Sequence, residues 1–278
     1  MNWWMIHLHN DQIIALFEVW MLASYRADST VRLRLRYVRQ LARQVQLTLA
    51  TAEHLEDALI RTRHLAADTR HSILASWKLF YRWAVAKRLV LADPTALLDP
   101  IPVRPRVPKI APDSAVASAI DGAAPRDRAL VMAGRYACLR LSEISNLHMR
   151  DRRDDVLRIR GKGDKERIVY INDPLMDALR ALERALPHGP YFPGETDGHL
   201  HPQSVHKIIK RVTGWNPHSL RHAGATAAYR ATGDLRAVQD MLGHASLATT
   251  QRYLHLDDDA RRRVANATVI LPRGSVAA

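Results

Sequence analysis

Six prolines fall at 94, 100, 102, 105, 108 and 112, whereas residues 11–92 contain neither proline nor glycine. Proline fixes φ and has no N–H, so at this density neither a helix nor a strand ladder can run through the stretch. It favours an extended, semi-rigid spacer. The 278 residues therefore read as two bodies, a number the length also suggests. The expected layout is a helical domain at 1–93, a proline-rich basic linker at 94–112, a second domain at 113–256 and a tail at 257–278.

With no breaker before Pro94, the first body reads as helix almost throughout. Its clearest helix runs from Ser29, read as an N-cap, to Gln46. At 100° per residue Val31, Leu35, Val38, Leu41, Ala42 and Val45 form one apolar arc. Arg32, Arg36, Arg39 and Arg43 line the opposite face. Four arginines without an interleaved Glu gain no pairing within the helix, so this stripe is a candidate contact for a DNA backbone, a solvated face being the alternative. A second helix over 67–87 carries Trp77, Phe80, Tyr81 and Trp83, which read as core.

The charge supports a polyanionic partner. Lys+Arg number 41 against 28 Asp+Glu, a net charge of +13 and a sequence pI near 10.3. A basic surface gains affinity for nucleic acid by releasing counterions from the phosphates. Only seven of the basic residues are lysines. Arginine donates in a planar fork that matches phosphate, although a GC-rich genome would produce the same ratio. Arg104, Arg106 and Lys109 place positive charge on the linker, which suits a strap lying along DNA.

Several classes are disfavoured. The apolar run from Ile13 to Ala23 is broken by Glu18 and falls short of the ~20 residues a membrane span needs. No basic residue in front of it suggests a secretory signal. Cys138 is the single cysteine, which leaves no internal disulfide and no Cys-rich zinc site and suits a reducing compartment. The expectation is a soluble cytoplasmic protein with no membrane partner.

In the second body helices are expected at 113–121, 126–137, 142–149, 173–186, 202–213, 218–232, 234–242 and 246–255. Between them Val156–Arg160 and Arg167–Ile171 are β-rich runs around Gly161-Lys162-Gly163-Asp164, a hairpin signal. Chemistry-bearing residues are spread along this body. Tyr136-Ala-Cys-Leu-Arg140-Leu-Ser-Glu143 comes first, then Lys162 at the hairpin tip, then His218-Ser-Leu-Arg221-His222 opening a helix after Pro217. Leu242-Gly243-His244 follows, 23 residues after Arg221, and Tyr253 lies nine residues further on. The i, i+4 pair His218/His222 has zinc-ligand spacing, but it lacks a metalloprotease glutamate and Arg221 would repel a dication. His255, His199 and His201 read as surface or loop residues.

Each fragment alone is weak. In this order, Arg…Lys…His-x-x-Arg…His…Tyr resembles the tyrosine recombinase (phage integrase) family across the second domain. The first domain resembles its core-binding domain by pattern and position only. The resemblance implies a mainly α fold with a small β-hairpin or sheet, two domains forming a C-shaped clamp on double-stranded core-type DNA sites. It implies catalytic Arg140, Lys162, His218, Arg221, His244 and Tyr253. A phosphodiester resists attack because its phosphorus is crowded and charged, so its oxygens must be neutralised, a nucleophile activated and the leaving alkoxide protonated. Arg140 and Arg221 suit the phosphate clamp, Tyr253 the nucleophile, and His218 and His244 hydrogen bonding to the phosphate or proton transfer. By resemblance Lys162 protonates the departing 5′ oxygen. Glu143 and His222 read as supporting residues that hold the cluster. No cofactor and no metal are implied, the arginines supplying the charge that Mg²⁺ supplies in other phosphoryl transfers.

Cys138 stands where the family often has Gly, and Ala223-Gly224-Ala225 replaces bulkier residues. Both read as packing positions that weigh against the Xer subgroup, although the two-domain layout is Xer-like. The function implied is a recombinase that integrates or excises a phage or mobile element, working as a homotetramer on two sites, with accessory DNA-bending or directionality proteins allowed for. The alternatives are an Xer-type dimer resolvase, a non-catalytic DNA-binding regulator of the same fold, and a type IB topoisomerase, which the compact layout disfavours. The 257–278 tail, charged and then apolar, is read as docking on a neighbouring subunit, folding back on its own domain being the alternative. Truncation after Ala265 should then leave a folded chain that binds one site but assembles two sites poorly. Wild-type recombination by the truncated chain would contradict that reading.

Overall fold

The computed structural model describes residues 8–103, 109–161, 166–186, 188–194 and 198–243. The chain divides into two compact units, the division falling between residues 106 and 107.

The first unit is built from α1 (Asn10–Ala23), α2 (Asp28–Ala42), α3 (Ala52–Ile60) and α4 (Ala67–Ala86). Its core is the predicted arc of α2 set against α1 and α4, with Val31, Leu35, Val38 and Leu41 all buried. Phe17 of α1 meets Phe80 and Trp83 of α4 at ring-centroid separations of 5.2 and 5.1 Å. Large aromatics whose polar atoms find partners can be buried fully: Trp77 donates to the Tyr37 carbonyl and Tyr81 to that of Leu47.

Helix α2 departs from expectation at both ends. Ser29 lies inside the helix, whose N-cap is Ala27 with no side-chain bond. The helix stops at Ala42 because Asn10 reaches across from α1. Its amide donates to the carbonyls of Ala42 and Val45, and its oxygen accepts from the Leu47 N–H. Arg32, Arg36, Arg39 and Arg43 are exposed, as the stripe predicted. Arg39 nevertheless pairs with Glu18 of α1 at 3.3 Å, a partner that no intrahelical count reveals.

The proline-rich stretch is docked at both of its described ends. On the first unit Lys78 of α4 donates to the Leu98 carbonyl and Leu98 is buried. On the second, Ala111 is buried and its N–H donates to the Ser219 carbonyl. Lys109 is exposed, and Arg104 and Arg106 lie outside the described residues.

The second unit comprises α5 (Asp113–Gly122), α6 (Pro125–Arg135), α7 (Leu141–Ser145), β1 (Arg152–Arg153), β2 (Val156–Arg160), β3 (Glu166–Tyr170), α8 (Asp173–Ala185), α9 (Pro202–Thr213), α10 (Pro217–Thr232) and α11 (Leu235–Leu242). Helix α6 is central, packing on α5, α8, α9 and α10. Small residues let neighbours approach it: Ala129, Ala133 and Gly134 face inward with Leu130 and Val131. The fold is mainly helical with a three-stranded antiparallel sheet in the order β1-β2-β3. The predicted hairpin is present, Leu157 pairing with Val169 and Ile159 with Arg167. Strand β1 was not foreseen; it is too short to show a period. Helix α7 ends at Ser145 rather than at 149, because the Leu147 carbonyl accepts from Tyr191 N–H and Met149 N–H donates to the Gly189 carbonyl. Among the described residues no helix is long and apolar enough to cross a membrane.

Two packing positions set where the site forms. Cys138 has φ of 50°, a left-handed conformation that glycine adopts at less cost. It turns the chain from α6 into α7. Gly224 of α10 lies against that bend: a Cβ there would come within 2.1 Å of the Arg135 carbonyl oxygen and 2.5 Å of Cys138 Sγ. Gly224→Ala should therefore destabilise the second unit by roughly 1–3 kcal/mol. A thermal melt read against wild type checks this, and an unchanged midpoint would mean the backbone yields freely.

Candidate active site

Helix α10 opens with Pro217 at its first position and Asn216 as N-cap, the Asn216 side chain accepting from Ser219 N–H. This start fixes the phase of the helix, so that Leu220, Arg221 and His222 are all buried. Arg221 donates to the carbonyl of Cys138 and, at 2.7 Å, to that of Leu242. Arg140 sits at the N-cap of α7. Its backbone N–H and one guanidinium nitrogen donate to Glu143 at 2.7 and 2.8 Å, and a second nitrogen donates to the Gly243 carbonyl at 3.0 Å.

The hub of the site is Glu143, whose side chain is 2% exposed. Besides Arg140 it accepts a fork of two bonds from Arg167, at 2.7 and 2.8 Å. Arg221 approaches to 3.9 Å. Arg167 also donates through Nε to the Met241 carbonyl at 3.0 Å. Three guanidinium groups thus take the three successive carbonyls of 241, 242 and 243 at the end of α11. Cations belong there, since the last carbonyls of a helix have no intrahelical donor and carry its negative pole.

Electrostatics follow from this geometry. Burial raises the Glu143 carboxyl, but the hydrogen bonds from Arg167 and Arg140 outweigh it and hold the group at about 2. Burial, with Arg140 beside it, lowers Arg221 to about 10. Among the described residues one carboxylate serves three guanidinium groups, an excess of positive charge in a half-buried site. Such an excess is costly unless an anion joins it. Arg140 is the outlet: its side chain is 37% exposed, against 11% for Arg167 and 4% for Arg221. Arg140 spends two of a guanidinium's five N–H groups on described acceptors.

His218 and His222 stand one turn apart with their Nε2 atoms 2.7 Å from each other. One nitrogen donates and the other accepts, so the two rings cannot both be fully protonated in this arrangement. That separation is shorter than two nitrogens each bound at about 2.0–2.1 Å to one tetrahedral zinc would allow, which counts against the metal reading of the pair. Among the described residues no group of three His, Cys, Asp or Glu is placed to hold a metal ion. His201 caps α9, accepting from Gln203 N–H.

Of the predicted set the structure brings Arg140, Glu143 and Arg221 together, and it sets His218 against His222 on the helix that carries Arg221. Lys162, His244 and Tyr253 lie outside the described residues, as does His255. Arg167 is not among the residues the sequence singles out, since it stands there only as part of a β-rich run. A signal was present: with period-2 alternation Arg167 shares the inward face with Val169, an unusual place for an arginine.

Residues 114–260 match the model of the phage integrase family. The tyrosine recombinase XerC of Chromobacterium violaceum is 34% identical over 259 residues, covering 85% of this chain and 84% of that protein. In fold the chain is similar to lambda integrase residues 75–356 bound to DNA, with a TM-score of 0.74 at 14% identity, covering 95% and 100% of the two chains. A lambda integrase tetramer bound to a Holliday junction gives 0.71 at 15% identity, covering 85% of this chain and 77% of that one.

Glu143→Gln should destabilise the second unit by roughly 3 kcal/mol at neutral pH, as loss of a buried charge partner does. Because the folded carboxyl lies at about 2, below its ordinary 4.5, its contribution is full above pH 4.5 and fades as pH falls toward 2. The difference in urea midpoint between wild type and Glu143→Gln should accordingly narrow from pH 5 to pH 3. A constant difference would mean the charge contributes nothing.

Proposed function

The chain belongs to the phage integrase family of tyrosine recombinases, and from that membership we propose that it cuts and rejoins DNA at specific sites through a 3′-phosphotyrosyl intermediate. The observation that carries the reading is the Glu143 hub, which holds Arg140 and Arg221 in place with positive charge in excess. A phosphodiester anion is the group such a site suits, and Arg140 is the exposed donor that meets it.

In the proposed reaction the Tyr253 hydroxyl gives its proton to His218 or His244, its oxygen attacks phosphorus, the P–O5′ bond breaks and the leaving oxygen takes a proton from Lys162. The 5′-hydroxyl of another strand then attacks the phosphotyrosine and releases the tyrosine, so the bond energy is kept and no ATP is consumed. Arg140 and Arg221 neutralise the non-bridging oxygens as charge develops on them. His218 and His244 hydrogen-bond the phosphate or carry a proton. The 2.7 Å bond between His222 and His218 engages one ring nitrogen of His218.

The DNA partner is a double-stranded core-type site, contacted by Arg32, Arg36, Arg39 and Arg43 of α2 and by Arg104, Arg106 and Lys109. Of these, the four on α2 and Lys109 are exposed. We carry over from the lambda integrase tetramer a four-subunit assembly on two sites. Integration or excision of a mobile element is the first reading. An Xer-type resolvase is the second, supported by the likeness to a XerC protein and weighed against by Cys138 and Ala223-Gly224-Ala225. Exchange between the DNA beside this reading frame and a non-identical chromosomal site supports the first. Exchange only between identical copies supports the second.

On a nicked suicide substrate, in the presence of EDTA, the wild type should form a covalent protein–DNA adduct on a denaturing gel. Tyr253→Phe should form none while binding the site with unchanged affinity. An adduct surviving in that variant would remove Tyr253 as nucleophile, and an adduct that needs added Mg²⁺ would overturn the mechanism.

A further inference from the structure

Arg167 lies outside the residue set assigned above, yet it ties together the parts that the reaction needs. It sits on β3 opposite Ile159 of β2, and Lys162 lies in the sequence between these two strands. Its fork closes on both oxygens of Glu143, the carboxylate that also holds Arg140. Its Nε fastens the Met241 carbonyl in the last turn of α11, three residues before His244. The chain passes tightly over its stem: a Cβ on Gly243, where φ is +61°, would lie 2.7 Å from Arg167 Cδ. With a side chain 11% exposed, Arg167 is poorly placed to touch DNA itself.

We propose that Arg167 is a positioning residue for strand cleavage: by saturating Glu143 from the hairpin, it keeps Arg140 aimed at the scissile phosphate instead of drawn onto the carboxylate. The role rests on the recombinase reading above. The physical reason is competition. A carboxylate facing three guanidinium groups can satisfy its strongest bonds with any of them. With Arg167 supplying a bidentate pair, Arg140 gives Glu143 one guanidinium nitrogen and keeps others for phosphate. Without Arg167 the same carboxylate would close on Arg140 and Arg221 and compete with the substrate. A lysine would keep the charge but reach only one oxygen, so it should substitute in part.

The test is single-turnover adduct formation on a suicide substrate whose scissile group is either the natural phosphodiester or a neutral methylphosphonate. The methylphosphonate needs less positive charge around it. Arg167→Gln should slow cleavage of the phosphodiester by about 100-fold, the scale of a misplaced catalytic group, with site affinity within about threefold of wild type. On the methylphosphonate the deficit should shrink to a few-fold, and Arg167→Lys should be intermediate on the phosphodiester. Placed on Glu143→Gln, Arg167→Gln should add no further loss, because its route of action is already gone. A thermal melt accompanies each variant; if Arg167→Gln does not fold, the Arg167→Lys deficit and its shrinkage on methylphosphonate decide the matter. Wild-type cleavage by a folded Arg167 variant overturns the proposal, and so does a deficit equal on both substrates and additive with Glu143→Gln. Absence of any adduct in the wild type overturns the recombinase reading, and this role with it.

Discussion

One buried carboxylate organises the second unit. Glu143 is almost fully removed from solvent, and a charge so placed is tolerable only when paired and hydrogen-bonded on every side. The chain meets that demand from three elements. Arg140 comes from the start of α7, Arg167 from β3, and Arg221 from the buried face of α10. The same guanidinium groups take the end carbonyls of α11. Hairpin, bend and two helices are thus tied to a single point.

Packing around that point explains otherwise odd residues. The left-handed backbone at Cys138 turns the chain sharply after α6 and leaves its carbonyl facing Arg221. Gly224 is required by the close pass of α10 over Arg135 and Cys138. Burial raises the Cys138 thiol to about 11, so it stays neutral there and acts as a small apolar group. The smallness of Ala223-Gly224-Ala225 is thus the space that the bend needs. It holds Arg221 against the Cys138 carbonyl and within reach of Glu143.

Much of this was legible beforehand, for physical reasons. Pro217 announces the start of α10, and the spacing of His218, Arg221 and His222 follows from its period. The apolar arc of α2 was visible because burial imposes a 3.6-residue repeat. What was hidden depended on partners distant in sequence. Asn10 ends α2 from another helix, Glu18 pairs with Arg39, and the backbone around residues 189–191 cuts α7 short. Arg167 was hidden because a β-rich run draws attention to its apolar members. Its function lies in the one position where the inward face is charged.

In the proposed reaction Glu143 holds the arginines for a phosphate. The most direct measurement is a crystal structure of the protein on DNA with vanadate at the cleavage position, mimicking pentavalent phosphorus. Guanidinium nitrogens of Arg140 and Arg221 should lie within about 3 Å of the equatorial oxygens, with Glu143 still bridging Arg140 and Arg167. A vanadate held by other residues, with Arg140 turned away from it or Glu143 released from the cluster, would contradict the claim.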